Sequence, residues 1–120
     1  MKLITRIKKF IYIIVSKFRK PKIEVYQALF SGNGSFIDIR YWLSRPDMVN
    51  PKGNIYIVHD ESGEKLFLMK IAKFGAIRTV HNKYKNSGIL LIYNRNGLVK
   101  RGSMITLHLD NLTALGVEVQ

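Results

Sequence analysis

The chain has no cysteine, which excludes disulfides, thiol nucleophiles and cysteine-ligated zinc. Proline is scarce, with three in 120 residues, and there is a single tryptophan. Acidic residues are few, eight against twenty Lys and Arg, and they are missing altogether from residues 1–22 and 65–101. No apolar run is long. The leading segment's longest covers residues 10–15 and is bounded closely by Lys9 and Lys17. A membrane-spanning helix needs about 20 mostly apolar residues, so a span is not predicted. A secretory signal needs an apolar core of about 7–15 residues and a small-residue cleavage site. The run is just short of that, and Ser16-Lys17-Phe18-Arg19-Lys20 is a poor place to cleave.

What is present is a concentration of positive charge. The net charge is +12, and two thirds of it lies in the first 22 residues, which carry eight Lys and Arg. The apolar residues of that stretch, Leu3, Ile4, Ile7, Phe10, Ile11, Ile14, Val15 and Phe18, recur at helical spacing. At about 100° per residue they fill one arc of roughly 140°. Lys8 and Arg19 flank one side of the arc, Arg6 and Lys17 the other, and Lys2, Lys9 and Lys20 lie opposite. A cationic amphipathic helix of this kind lies on a membrane surface or fills a groove on a partner protein. The alternatives are an uncleaved export anchor and an ordinary helix packed on its own domain. Positive charge on both flanks gives no orientation, so the side of the membrane stays open.

The helix is expected to stop at Lys20, because a residue before proline avoids the helical region and Pro21 follows. The chain therefore divides into a basic helix, residues 1–20, and a domain, residues 21–120. In the domain Val, Ile, Tyr, Phe and Leu come in short runs separated by Gly, Asn, Asp, Ser and Pro, a strand-and-turn pattern. Strands are predicted over residues 23–30, 36–43, 54–59, 65–71, 76–80, 89–93, 104–109 and 116–119. In the second, Ile37, Ile39, Tyr41 and Leu43 share one face and Asp38, Arg40 and Trp42 the other. Trp42 is nonetheless a candidate core residue. Residues 89–93 are the most apolar and are expected to be central. About eight short strands without a later helical period predict a mostly β fold, an antiparallel sandwich or a small barrel.

Few residues suggest chemistry. His59, His81 and His108 lack the close spacing of a catalytic metal site, although two could approach each other if their strands pair. Asp60, Glu61 and Glu64 cluster in a predicted hairpin, where turn formation and solvation account for them. Ser31, Ser35, Ser62 and Ser103 all fall in turns, and none sits in a G-x-S-x-G elbow. Ser31-Gly32-Asn33-Gly34-Ser35 lacks the P-loop pattern. No catalytic residue, cofactor or metal is predicted. A second basic cluster, Lys70, Lys73, Arg78, Lys83 and Lys85, is interleaved with Phe74, Tyr84 and Tyr93. Such interleaving suits single-stranded nucleic acid, and anionic lipid headgroups would serve the same residues.

Val99, Lys100, Gly102 and Ser103 lead into an alternating strand, and Gly116-Val117-Glu118-Val119 closes the chain. This stretch resembles the closing hairpin of small bacterial immunoglobulin-like domains. The resemblance implies an immunoglobulin-like sandwich and a binding or structural role, although the Cys and Trp hallmarks of antibody domains are absent. The expectation is a non-catalytic binding module held at an anionic membrane by Leu3, Ile4, Ile7, Phe10, Ile11, Ile14 and Phe18, with Arg6, Lys8, Lys9, Lys17, Arg19 and Lys20. The alternative is a nucleic-acid-binding module using the 65–101 region, and a protein partner for the helix is a third reading.

Overall fold

The computed structural model describes residues 20–50, 52–71, 75–76, 78 and 85–120. The expected leading helix lies outside them, apart from Lys20. Among the described residues there is no α-helix. Strands β1 (Ile23–Ser31), β2 (Phe36–Leu43) and β7 (Ser87–Tyr93) form one antiparallel sheet in the order β1-β2-β7. Strands β3 (Ile55–His59), β4 (Lys65–Phe67), β8 (Met104–Leu109) and β9 (Leu112–Glu118) form another in the order β4-β3-β8-β9. Two short strands, β5 (Lys70–Ile71) and β6 (Gly75–Ala76), pair with each other. The arrangement is compatible with a β-sandwich.

Period-two patterning places the core. In β2 burial alternates strictly, with Ile37, Ile39, Tyr41 and Leu43 fully enclosed. Leu90 and Ile92 of β7 join them from the neighbouring strand. The second sheet contributes Ile57, Leu66, Ile105, Leu107 and Leu109 to the same cluster. Each fully buried aliphatic side chain contributes about 1.5–3 kcal/mol. Trp42 is only half-buried and lies on the outer face of β2, so the aromatic residue in the core is Tyr41. Tyr41 needs room, and Gly88 supplies it: a Cβ at residue 88 would collide with the Tyr41 ring and hydroxyl.

The sheets are joined along two edges. Residues 65–71, expected as one strand, divide between them. Lys65, Leu66 and Phe67 pair with β3, whereas Leu68 bridges to Ile92 and the Met69 N–H donates to Leu91 O at 2.8 Å. The expected strand 76–80 reduces, among the described residues, to Ala76 in β6 and a bridge from Arg78 to Leu90. Both bridges fall on β7, the strand expected to be central. It is an edge in strand order, with β2 at the centre, yet its outer edge is occupied as well. At the other junction the Phe30 N–H donates to Gln120 O, and the Gln120 N–H to Ala28 O. That pattern is a parallel bridge centred on Leu29 and Gln120. β9 begins four residues earlier than expected, because Asp110 takes a left-handed conformation (φ 55°) and makes a two-residue hairpin with Asn111.

One buried polar side chain braces the turns at the far end. The Asn94 Nδ2 donates to Gly34 O and to Val99 O, both at 2.8 Å, and its Oδ1 accepts from the Val99 N–H at 2.9 Å. Its backbone N–H donates to Ser35 O. Asn94→Ala should leave the Val99 N–H and the two carbonyls without partners. A buried unsatisfied group costs about 1–3 kcal/mol, so a loss of about 3 kcal/mol is expected, read as a lowered urea midpoint. Asn94→Asp, which keeps the acceptor but sets a buried carboxylate oxygen against the Gly34 and Val99 carbonyls, should not recover it at neutral pH.

Candidate binding surfaces

The leading segment joins the domain at a defined place. The Ser44 hydroxyl donates to Lys20 O at 2.6 Å and accepts from the Lys22 N–H at 2.8 Å, while the Ser44 N–H donates to Lys22 O. Lys20, Lys22, Trp42 and Ser44 border one hollow. Asn86 is tied to Leu43 in both directions, through its carbonyl and its side-chain amide. Lys85 is therefore brought to the same end of the first sheet, exposed like Lys20 and Lys22. The acidic hairpin of Asp60, Glu61 and Glu64 follows the C-terminal end of β3, at the opposite end of the domain. An eight-residue strand rises about 3.3 Å per residue, so roughly 25 Å separates the two ends.

The second basic cluster is less compact than its spacing suggests. Lys73 and Lys83 lie outside the described residues, as do Phe74, Tyr84 and His81. Lys70, Arg78 and Lys85 are strung along β7, near Leu91, opposite Leu90 and before Ser87 respectively. Tyr93 is at the far end of that strand, so it does not interleave with Lys85. Arg78 is half-buried and its charge acts on Tyr41. Of the residues expected on the membrane, only Lys20 is described. Leu3, Ile4, Ile7, Phe10, Ile11, Ile14 and Phe18, with Arg6, Lys8, Lys9, Lys17 and Arg19, lie outside.

A surface that sequence reasoning did not single out covers the outer face of the second sheet. Tyr56 of β3 faces Phe67 on one side and His108 on the other. Its ring stacks on the His108 ring at 4.7 Å between centroids and lies 6.2 Å from Phe67, with Lys65 Nζ 4.8 Å above it. The alternation of Ile55 and Ile57 with Tyr56 and Val58 is the signal that puts Tyr56 outside. Beside this ladder Lys65, Phe67, Tyr93 and Arg95 border a small hollow, with Phe67 55% and Tyr93 51% exposed.

The histidines do not meet. His59 is buried, with Nδ1 2.8 Å from the Ser62 hydroxyl, whereas His108 is on the outer face beside Tyr56. Strands β3 and β8 do pair, but His59 is opposite Ile105. Asp60 accepts from the Thr106 hydroxyl at 2.8 Å, a structural bond across the sheet. Asp38 and Arg40 form an ion pair at 3.5 Å on the outer face of β2. Arg45 and Asp47 form another at 2.7 Å; hydrogen bonding to Arg45 lowers the Asp47 pKa, and the same bond raises that of Arg45. No group of three His, Asp or Glu that could hold a metal occurs among the described residues. No helix among them is long and apolar enough to cross a membrane. No family model matches the chain, and neither a curated protein nor a solved structure does.

Burial pushes the Tyr41 hydroxyl up to about 12, and the nearby Arg78 charge opposes part of that shift. Unfolding restores an ordinary value of about 10. The folded form thus holds this proton more tightly. Its contribution is fully present below pH 10 and is lost as pH rises through the folded value. Stability should fall between pH 10 and pH 12, and Tyr41→Phe should fall less steeply over that window. Denaturant midpoints of the two proteins at pH 9, 10 and 11 check this.

Proposed function

We propose that this chain is a non-catalytic, immunoglobulin-like binding module held end-on at an anionic membrane surface by its basic leading helix. The observation that carries the reading is the junction: the leader enters the domain where Lys20, Lys22, Lys85 and Trp42 collect. A tryptophan and lysines together suit the headgroup layer, where amphipathic side chains place an apolar body in the interface and a polar tip in water. The acidic hairpin at residues 60–64 is at the other end, where it avoids repulsion by anionic lipid. The leader's apolar arc would insert to the acyl boundary, and each nearby basic residue would contribute about 1 kcal/mol. The strand order supports the immunoglobulin-like part of the reading. β1-β2-β7 faces β4-β3-β8-β9, so the chain crosses between sheets after β2, after β4 and after β7, in the manner of a Greek-key sandwich.

A second reading has one observation in its favour. Lys65, Phe67, Tyr93 and Arg95 combine two exposed rings with two cations, and single-stranded nucleic acid is held by stacking and phosphate contact together. That reading predicts binding that falls steeply with salt and survives removal of the leader's apolar residues.

Trp42 is the chain's only tryptophan, so its emission reports the junction without labelling. Titration of the full chain with phosphatidylserine-containing vesicles should blue-shift that emission, and pure phosphatidylcholine should not. Ile7→Asp combined with Ile11→Asp should abolish sedimentation with the anionic vesicles. Sedimentation that survives this double change sinks the anchor. Binding with no change at Trp42 sinks the end-on orientation.

A further inference from the structure

β1 and β9 run parallel and meet only near their C-terminal ends, where Gln120 is held between Ala28 and Phe30. Away from that point they part, and a cleft of about 620 Å³ opens between them. Each wall is a strand edge. β1 pairs with β2 on its other side and β9 with β8 on its other side, and among the described residues neither has a further partner strand over this stretch. A bulge on each strand accounts for the divergence. Tyr26 is the extra residue of β1, between Val25 and Gln27. Leu115 and Gly116 together oppose Thr106 across β8, with Gly116 at φ 65°. Bulges strengthen local twist and turn a strand away from its neighbour.

The chemistry of the cleft differs from that of the rest of the chain. Its floor is apolar, formed by Ile23, Val25, Ala28, Ala114 and Val117. Tyr26 is 61% and Leu115 78% exposed at its sides, although edge strands are usually blunted with lysine or proline. In a protein of net charge +12, the described residues of the lining include Glu24 and Glu118 and no Lys or Arg. Glu24 meets Lys22 at 3.3 Å, but both side chains are well exposed, so that pair is readily exchanged.

We infer that this cleft binds an extended segment of a partner protein, with alternating apolar and basic side chains, as an added β-strand. Such a strand would take main-chain hydrogen bonds from the edges of β1 and β9, set its apolar residues on the floor between Val25 and Ala114, and place its basic residues against Glu24 and Glu118. Main-chain pairing supplies affinity in this mode, and alternate side chains supply selectivity. The inference goes beyond the anchor reading and does not depend on it.

The test uses the full chain in lipid-free buffer and a fluorescent ten-residue peptide alternating Val and Lys, followed by polarisation. Saturable binding is expected. Methylating alternate backbone nitrogens of the peptide should weaken it by about tenfold or more, since about three main-chain hydrogen bonds are lost. Glu24→Lys with Glu118→Lys should weaken the Val–Lys peptide comparably and favour a Val–Glu peptide instead. Both positions are exposed, and the methylated peptide tests the pairing without altering the protein. No saturable binding, indifference to backbone methylation, or equal binding of the Val–Glu peptide by the unaltered chain would each overturn the inference. Vesicle sedimentation by the same preparation reads the anchor separately.

Discussion

The far end of this domain depends on Asn94. A two-sheet fold must return its chain from one sheet to the other several times, and each return leaves backbone groups that no ladder satisfies. Asn94 takes up three of these at once, from Gly34 and from both polar groups of Val99. Because Val99 is fully buried, water cannot replace the amide. The turn between β1 and β2, the end of β7 and the approach to β8 are thereby fixed relative to one another. The registers that carry Ile37, Ile39, Leu90, Ile92, Ile105 and Leu107 into one core follow from that.

The other end is organised by a smaller device, Ser44, and faces a different task. It receives the leader and the loops that follow β2 and β8, and it carries exposed lysines instead of the acidic hairpin. The two ends of the domain therefore differ, the far one being mixed in charge: Arg95 lies 3.8 Å from Glu64, and Lys100 and Arg101 are exposed there. Its sides differ too. One outer face carries the Phe67–Tyr56–His108 ladder, and the opening between β1 and β9 carries glutamates and exposed apolar residues. The leader's end and the opening between β1 and β9 adjoin at Lys22 and Glu24, which meet at 3.3 Å.

The fold was legible where periodicity is local. The alternation in residues 36–43 identified the buried face of β2 to the residue, and the 60–64 turn was read correctly because Asp, Ser and Gly concentrate there. It was least legible where pairing is non-local. Nothing in residues 65–71 signals that the first half serves β3 and Leu68 and Met69 serve β7, since both halves are equally apolar. Asp110-Asn111 was missed because it lacks the glycine that marks most two-residue hairpins. Asn94 looks like any turn asparagine until its three partners are seen together. Lys85 was grouped with Lys70 by proximity along the chain, yet the bonds between Asn86 and Leu43 carry it to the leader's end. The cleft was invisible for the same reason, being made by strands almost ninety positions apart.

Ser44 grips the chain on both sides of Pro21, through Lys20 O and the Lys22 N–H. A pull on the leader therefore meets Ser44 before it meets the first ladder pair of β1. The load enters β2 through Ser44 at the same moment as it enters β1 through Ile23, and Ser44 adjoins Leu43, the partner of Ile23 in the ladder. Two antiparallel strands clamped together at the loaded end share tension that would otherwise unzip them one bond at a time. The joint is a clip that ties the entry of the first strand to the exit of the second.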